Sequence, residues 1–174
     1  MADSPPSFAS INALNRPGFV ARFGGIFEHS PWIADRAWAL RPFKDVAALH
    51  AALVKTMQAA TAEEKLSLLR AHPELAGREA TEDRLTADSK GEQGSAGLDR
   101  LPRDEFRRLT EMNEAYRAKF GFPFIIAVRG RNKDQILAEF ARRLRRDAAA
   151  EQAAALAEVE AIARLRLDRM FGAA

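Results

Sequence analysis

An all-α fold, a single-domain irregular helical bundle, is what this 174-residue sequence predicts. Three observations carry that expectation. Apolar residues recur at spacings of three and four along most of the chain, no stretch alternates apolar and polar residues as a half-buried strand would, and helix start and stop residues flank the periodic segments. The length suits one domain, and 47% hydrophobic against 29% charged residues is an ordinary globular balance, which excludes disorder for the bulk of the chain.

Residues 1–7 (MADSPPS) read as a disordered tail, since two prolines among small polar residues bury too little to order themselves; a helical domain is expected over 8–174. Pro17 opens a short helix with Phe19, Val20 and Phe23 that Gly24 and Gly25 end. Ser30 and Pro31 read as an N-cap and first helical residue leading into Trp32, Ile33 and Trp38. From Asp45 to Ala60 the stripe Val46, Leu49, Leu53, Met57 marks an amphipathic helix. Thr61 and Glu64 form a capping box for the next, which runs through Leu66 and Leu69 and must stop near His72, because Pro73 disfavours helical geometry before it.

Gly77 to Gly97, polar and containing four glycines, reads as a long functional or mobile loop. Leu101 to Phe120 is a strong helix with Phe106, Leu109, Met112, Tyr116 and Phe120 on one face and Gly121 as its stop. Phe122 to Val128 is a short apolar run between glycines, expected to be buried and extended. Asn132 with Gln135 caps a helix burying Ile136, Leu137, Phe140 and Leu144; an Ala-rich helix from Ala148 to Met170, with Leu156, Val159, Ala163, Leu167 and Met170 on one face, closes the chain.

Zero cysteines exclude disulfides, thiolate metal sites and a cysteine nucleophile. No apolar run approaches the ~18 residues of a membrane span, and Met1–Ser10 lacks the features of a signal peptide, so a soluble, cytoplasmic protein without a membrane partner is expected. Net charge is only +3. The densest basic stretch, Arg142, Arg143, Arg145 and Arg146, reads either as a phosphate-binding stripe or as a solvated helix face balanced by Asp134, Glu139 and Asp147; the second is the plainer, and no nucleic-acid partner is expected.

Only His29, His50 and His72 are available as imidazole ligands, and no H-x-x-x-H or E-x-x-H pair stands on a helix face, so no metal is expected. Signatures of nucleotide binding and serine hydrolysis are missing as well. Cofactor-free acid–base chemistry remains. His72, at a predicted helix C-terminus, suits it because the dipole favours imidazolium; a purely structural histidine neutralising the last carbonyls fits equally. Ser89 and Glu92 read as a capping box, or as an anion- or urea-binding helix edge with Gln93 beside it and Glu92 reaching His72. Arg166, on the flank of the last helix's apolar face, either snorkels to solvent or clamps a carboxylate.

Taken together, Phe23–Trp32 (FGGIFEHSPW), Arg41-Pro42-Phe43, His72–Gly77 (HPELAG), Glu92-Gln93 before Ala96-Gly97-Leu98, Asn113–Tyr116 and Lys119–Ile125 (KFGFPFI) strongly resemble the 2-oxo-4-hydroxy-4-carboxy-5-ureidoimidazoline (OHCU) decarboxylases, in order and over nearly the whole chain. The resemblance implies an all-helical, cofactor-free enzyme of urate degradation that releases CO2 from OHCU to give (S)-allantoin, commonly as a homodimer. It implies a catalytic pair, His72 and Glu92. The substrate walls it implies are Pro73, then Ser89, Lys90, Gly91, Glu92 and Gln93, then Phe124, Ile125, Ile126, Ala127 and Val128, with Arg166, or its neighbour Arg164, as a substrate arginine. The chain ends without an S-K-L signal, which again favours the cytoplasm. Two rivals stay open: a non-catalytic helical module contacting nucleic acid or an acidic partner through Arg142–Arg146, and a relative that binds ureides without turnover.

Overall fold

The computed structural model describes residues 7–77 and 85–172. Among them the chain forms nine α-helices and two short 3₁₀ turns, with no strand, as the all-α expectation requires: α1 (Phe8–Asn12), α2 (Arg16–Phe23), α3 (Trp32–Ala37), α4 (Val46–Gln58), α5 (Ala62–Arg70), α6 (Ala87–Ser95), α7 (Arg103–Phe120), α8 (Lys133–Arg143) and α9 (Ala148–Met170). The chain divides into two compact units, residues 1–71 with 160–174, and residues 72–159.

Local signals set most of the helix ends. Thr61 and Glu64 exchange both bonds of a capping box on α5, and Asn132 and Gln135 do so on α8, each satisfying two backbone donors that a helix start leaves open. Asp45 caps α4, and Gly121, at φ 77° in the left-handed region, ends α7. Three expectations need correction. Ser7, assigned to the tail, accepts a bond from the Ser10 amide and caps α1; residues 1–6 lie outside the described residues. Pro31 rather than Ser30 occupies the cap position of α3, and no side chain bonds there. Residues 87–95 of the presumed loop are helix α6, while 78–84 lie outside the described residues.

The first unit buries Leu49, Leu53 and Met57 of α4 completely, beside a ring cluster in which Phe19 lies 4.7 Å from Phe23 and 5.9 Å from Phe43. Phe8 stacks on Phe171 at 5.1 Å, and His50 and Gln58 of α4 both bond Glu160, so the end of α9 is fastened to α1 and α4. In the second unit Tyr116 is the hub of the aromatic core, with Phe120, Phe122, Phe124 and Phe140 at 4.6, 5.8, 5.5 and 5.5 Å. Phe106, expected on this face, is 38% exposed; the buried stripe of α7 is Leu109, Asn113 and Tyr116, spaced four and three, and Phe106 precedes it in the first turn.

Because Leu53 is fully enclosed while Leu40 is exposed, Leu53→Ala is expected to destabilise the protein by about 2–5 kcal/mol and Leu40→Ala by less than about 0.5 kcal/mol, read from urea midpoints at constant slope.

Candidate active site

The sequence places His72 two residues beyond the end of α5, as the proline signal requires, and the chain then turns through Pro73-Glu74-Leu75-Ala76-Gly77. Three side chains hold that turn. The Gln93 carboxamide of α6 accepts from the Ala76 amide at 2.8 Å and donates to the Glu74 carbonyl at 3.2 Å. Asn113 of α7 donates to the Leu75 carbonyl at 3.0 Å, and Arg117, one turn further along α7, pairs with the Glu74 carboxylate. These bonds hold Ala76 in the left-handed region at φ 46°, and a Cβ on Gly77 would fall 2.6 Å from that of Glu74, so only glycine closes the turn. His72 is 8% exposed at its head.

Helix α6 brings the second predicted group. Its cap is Thr86, which accepts from the Ser89 amide; the expected start at Ser89 is therefore one turn late. Starting at Thr86 puts Asp88 in the first turn, where the helix dipole favours an acid, and turns Ser89 and Gln93, four residues apart, onto the buried face. Lys90 and Gly91 are exposed and Glu92 is half-buried next to Gln93. Gln93, expected to touch substrate, uses both ends of its amide on the turn, so its visible work is to dock α6 beside His72.

The third predicted wall, Phe124 to Val128, is buried apart from the half-buried Ala127, and neither helix nor sheet pairs its backbone. Side chains do so instead. Arg143 donates to the Ile125 carbonyl at 2.7 Å and Glu158 accepts from the Ala127 amide at 2.8 Å. The Ile126 amide and carbonyl between them bond no described residue. α7 ties this wall to the histidine turn, because Asn113, which grips Leu75, and Tyr116, which packs edge-on to Phe124 at 5.5 Å, are three residues apart on one face.

Arg166 belongs to the first unit. It is 4% exposed and does not snorkel: its guanidinium donates to Glu28 at 2.9 Å and lies 3.4 and 3.5 Å from the carbonyls of Ile26 and Gly25. Arg164 pairs with Asp168 on the exposed side of α9. The basic stretch is not a stripe either, since Arg142 is bonded to Glu139 and Arg143 is buried against Glu151. Among the described residues no group of three His, Asp or Glu side chains is placed to hold a metal ion, and no helix is long and apolar enough to cross a membrane.

Sequence reading gave Asn113, Arg143, Glu151, Glu158 and Glu28 no part in holding the backbone or Arg166 in place. The available signal was a polar residue in an apolar stripe: Asn113 follows Leu109 by four, and Glu151 precedes the buried Ala155 and Val159 by four and eight. Around the fully buried Glu151, the Tyr116 hydroxyl donates to one carboxylate oxygen. Burial first, and then that carboxylate, push the phenol well above its ordinary value of 10. A group whose folded value is raised adds stability that is complete below the unfolded value and is lost as pH rises past it. Tyr116 is the chain's single tyrosine. Ultraviolet titration of the phenolate band is therefore expected to show no ionisation through pH 10 in the folded protein and a normal titration once urea unfolds it; a normal titration in the folded state contradicts the buried pairing.

A family profile described as OHCU decarboxylase matches residues 12–168. A protein of Haloferax volcanii named 2-oxo-4-hydroxy-4-carboxy-5-ureidoimidazoline decarboxylase is 45% identical over 161 residues, covering 92% of this chain and 94% of its own. One of the same name from Mus musculus is 39% identical over 163 residues, covering 94% and 92%. Among solved structures, a crystal structure of (S)-allantoin synthase superposes with a TM-score of 0.75 at 27% identity, covering 95% of this chain and 54% of that one. A crystal structure of OHCU decarboxylase in the presence of (S)-allantoin, 21% identical, shares the fold with a TM-score of 0.66 over 81% of this chain and 91% of that one.

Proposed function

The chain belongs to the OHCU decarboxylase family, and from that premise we propose that it decarboxylates OHCU to (S)-allantoin with His72 as the proton-handling group. The protein is a decarboxylase of urate degradation. The single observation that carries the histidine assignment is the construction around it: a buried imidazole begins a turn that Gln93, Asn113 and Arg117 hold from two helices. A histidine that merely ended a helix would not need its following backbone fixed at three points.

The substrate makes such a site sufficient. Its carboxylate sits on a carbon that bears a hydroxyl and adjoins a C=N carbon. As the carbon–carbon bond to CO2 breaks, its electron pair forms a double bond to that neighbour, and the imine nitrogen takes up the displaced pair and a proton. The resulting enol gives up its hydroxyl proton while the ureido-bearing carbon gains one on a single face, which yields the ring amide carbonyl of (S)-allantoin. What the protein supplies is orientation, stabilisation of the developing charge and one correctly directed proton; acid–base help of this kind is worth about 10²–10⁴-fold.

In this reading His72 engages the substrate hydroxyl and carboxylate and transfers the proton. Glu92 holds its tautomer and the ureido group, with Pro73 and Ser89 to Gln93 flanking. The unbonded amide and carbonyl of Ile126 fit a ring or ureido amide, which offers one donor and one acceptor. The acidic-partner reading loses its basis, because three of its four arginines, Arg142, Arg143 and Arg146, are paired with Glu139 or Glu151. Carried over with the family is a homodimer; light scattering should give about twice the 19.2 kDa of the chain.

The decisive experiment generates OHCU in situ from urate and follows allantoin by circular dichroism. Wild type is expected to produce (S)-allantoin rapidly. His72→Asn should lose at least about 10²-fold in rate while keeping its far-ultraviolet spectrum, and Glu92→Gln should fall by a similar factor. A fully active, folded His72→Asn protein refutes the assignment.

A further inference from the structure

A buried polar arrangement in the second unit packs against the Phe124–Val128 segment. Arg143, 1% exposed, bonds Glu151 through Nε at 2.8 Å, with Nη2 2.6 Å from the same carboxylate oxygen, which also accepts from the Tyr116 hydroxyl. Its Nη1 reaches the Ile125 carbonyl, and its guanidinium lies 4.6 Å over the Phe124 ring, itself stacked on Phe140 at 4.0 Å. On the other side of Ile126, Glu158 takes the Ala127 amide while Arg131 stands 3.8 Å from its carboxylate. An apolar cluster of similar volume would pack these rings at no smaller stability, since burying an ion pair removes both charges from water. The arrangement therefore calls for another account.

Peptide geometry provides it. The Ile125 carbonyl and the Ile126 amide belong to one planar trans peptide unit and point in opposite directions; so do the Ile126 carbonyl and the Ala127 amide. Arg143 and Glu158 each hold one end of one of these two units. The ends they leave are the amide and the carbonyl of a single residue, Ile126, which bond no described residue although its side chain is buried. In a segment without a sheet partner, no other bond among the described residues sets the rotation of these two planes.

We propose that Arg143, kept in place by Glu151 and Tyr116, and Glu158 are positioning residues that aim the Ile126 amide and carbonyl as a donor–acceptor pair for the amide or ureido group of the substrate. The inference rests on the reading of Phe124–Val128 as a substrate wall. Neither side chain touches substrate; each acts through the peptide unit it holds. The pair selects for a group that offers N–H and C=O side by side and disfavours a ligand with two acceptors, which would face the carbonyl with a lone pair.

Two variants test it without leaving a buried charge alone: Glu158→Ala, and the double replacement Arg143→Met with Glu151→Leu, which keeps the core neutral. Both are expected to fold and to raise KM for OHCU about tenfold with kcat changed less than about threefold, the mark of lost binding common to ground and transition states. Glu158→Gln, whose amide oxygen still accepts from Ala127, is expected to bring KM back within about threefold of wild type. A role confined to stability would lower the melting temperature and leave KM unmoved, so a wild-type KM in both folded variants overturns the proposal. Amide NMR of the wild type with saturating (S)-allantoin separates the premise: the Ile126 and Ala127 amides should shift, and if they stay still the wall reading falls and takes this proposal with it. Shifted amides with unchanged KM in the variants reject the positioning role alone.

Discussion

Asn113 and Tyr116 stand three residues apart on the buried stripe of α7, and the second unit is organised around what each of them holds. Asn113 anchors the turn that follows His72 through the Leu75 carbonyl, and Tyr116 packs against Phe124 at the head of the non-helical wall. A helix fixes the separation of such neighbours to within its own rigidity, so two segments with no regular structure acquire a defined relation to each other. Packing alone would not achieve this. The turn contains a left-handed alanine, and the wall lacks a ladder of backbone bonds; both need directional partners.

The same device recurs through the molecule: irregular backbone is held by buried side chains rather than by other backbone. Gln93 bridges Glu74 and Ala76, Arg143 and Glu158 hold Ile125 and Ala127, and in the first unit Arg166 lies against the carbonyls of Gly25 and Ile26 beside Glu28. Asn12 likewise bonds both the amide and the carbonyl of Phe43, and Arg41 closes the turn at Asn12 and Leu14. Backbone polar groups removed from water must be paired, and in an all-helical protein the segments between helices have no strand to pair with. Long polar side chains on helix faces are the remaining source of partners, which explains why so many of them are buried here.

This economy has a functional counterpart. A decarboxylation whose substrate already contains its electron sink asks for placement more than for chemical power, and under the proposed site assignment that is the task of the held turn and wall. Buried ion pairs such as Arg143–Glu151 add little net stability, yet they restrict where backbone groups can point.

Local order was legible in the sequence because local forces set it. The two capping boxes, the cap at Asp45, the stops at Gly24, Gly121 and Pro73, and the stripe Leu49-Leu53-Met57 each depend on residues within a few positions of one another. The family, and with it the reaction, was legible in blocks such as HPELAG and KFGFPFI. What the tertiary structure alone decided was the choice among equivalent local options and the fate of polar residues on apolar stripes. Thr86 rather than Ser89 begins α6 because that phase buries Ser89 and sends Gln93 to the His72 turn, a benefit visible only once the turn is in place. Arg143 read as part of a solvated basic face, Arg166 was open between solvent and a carboxylate, and both are interior because partners 8 to 141 residues away in sequence meet them there. A side chain's own neighbours in sequence carry no information about such a meeting, since the desolvation it costs is offset only by groups that folding brings from elsewhere.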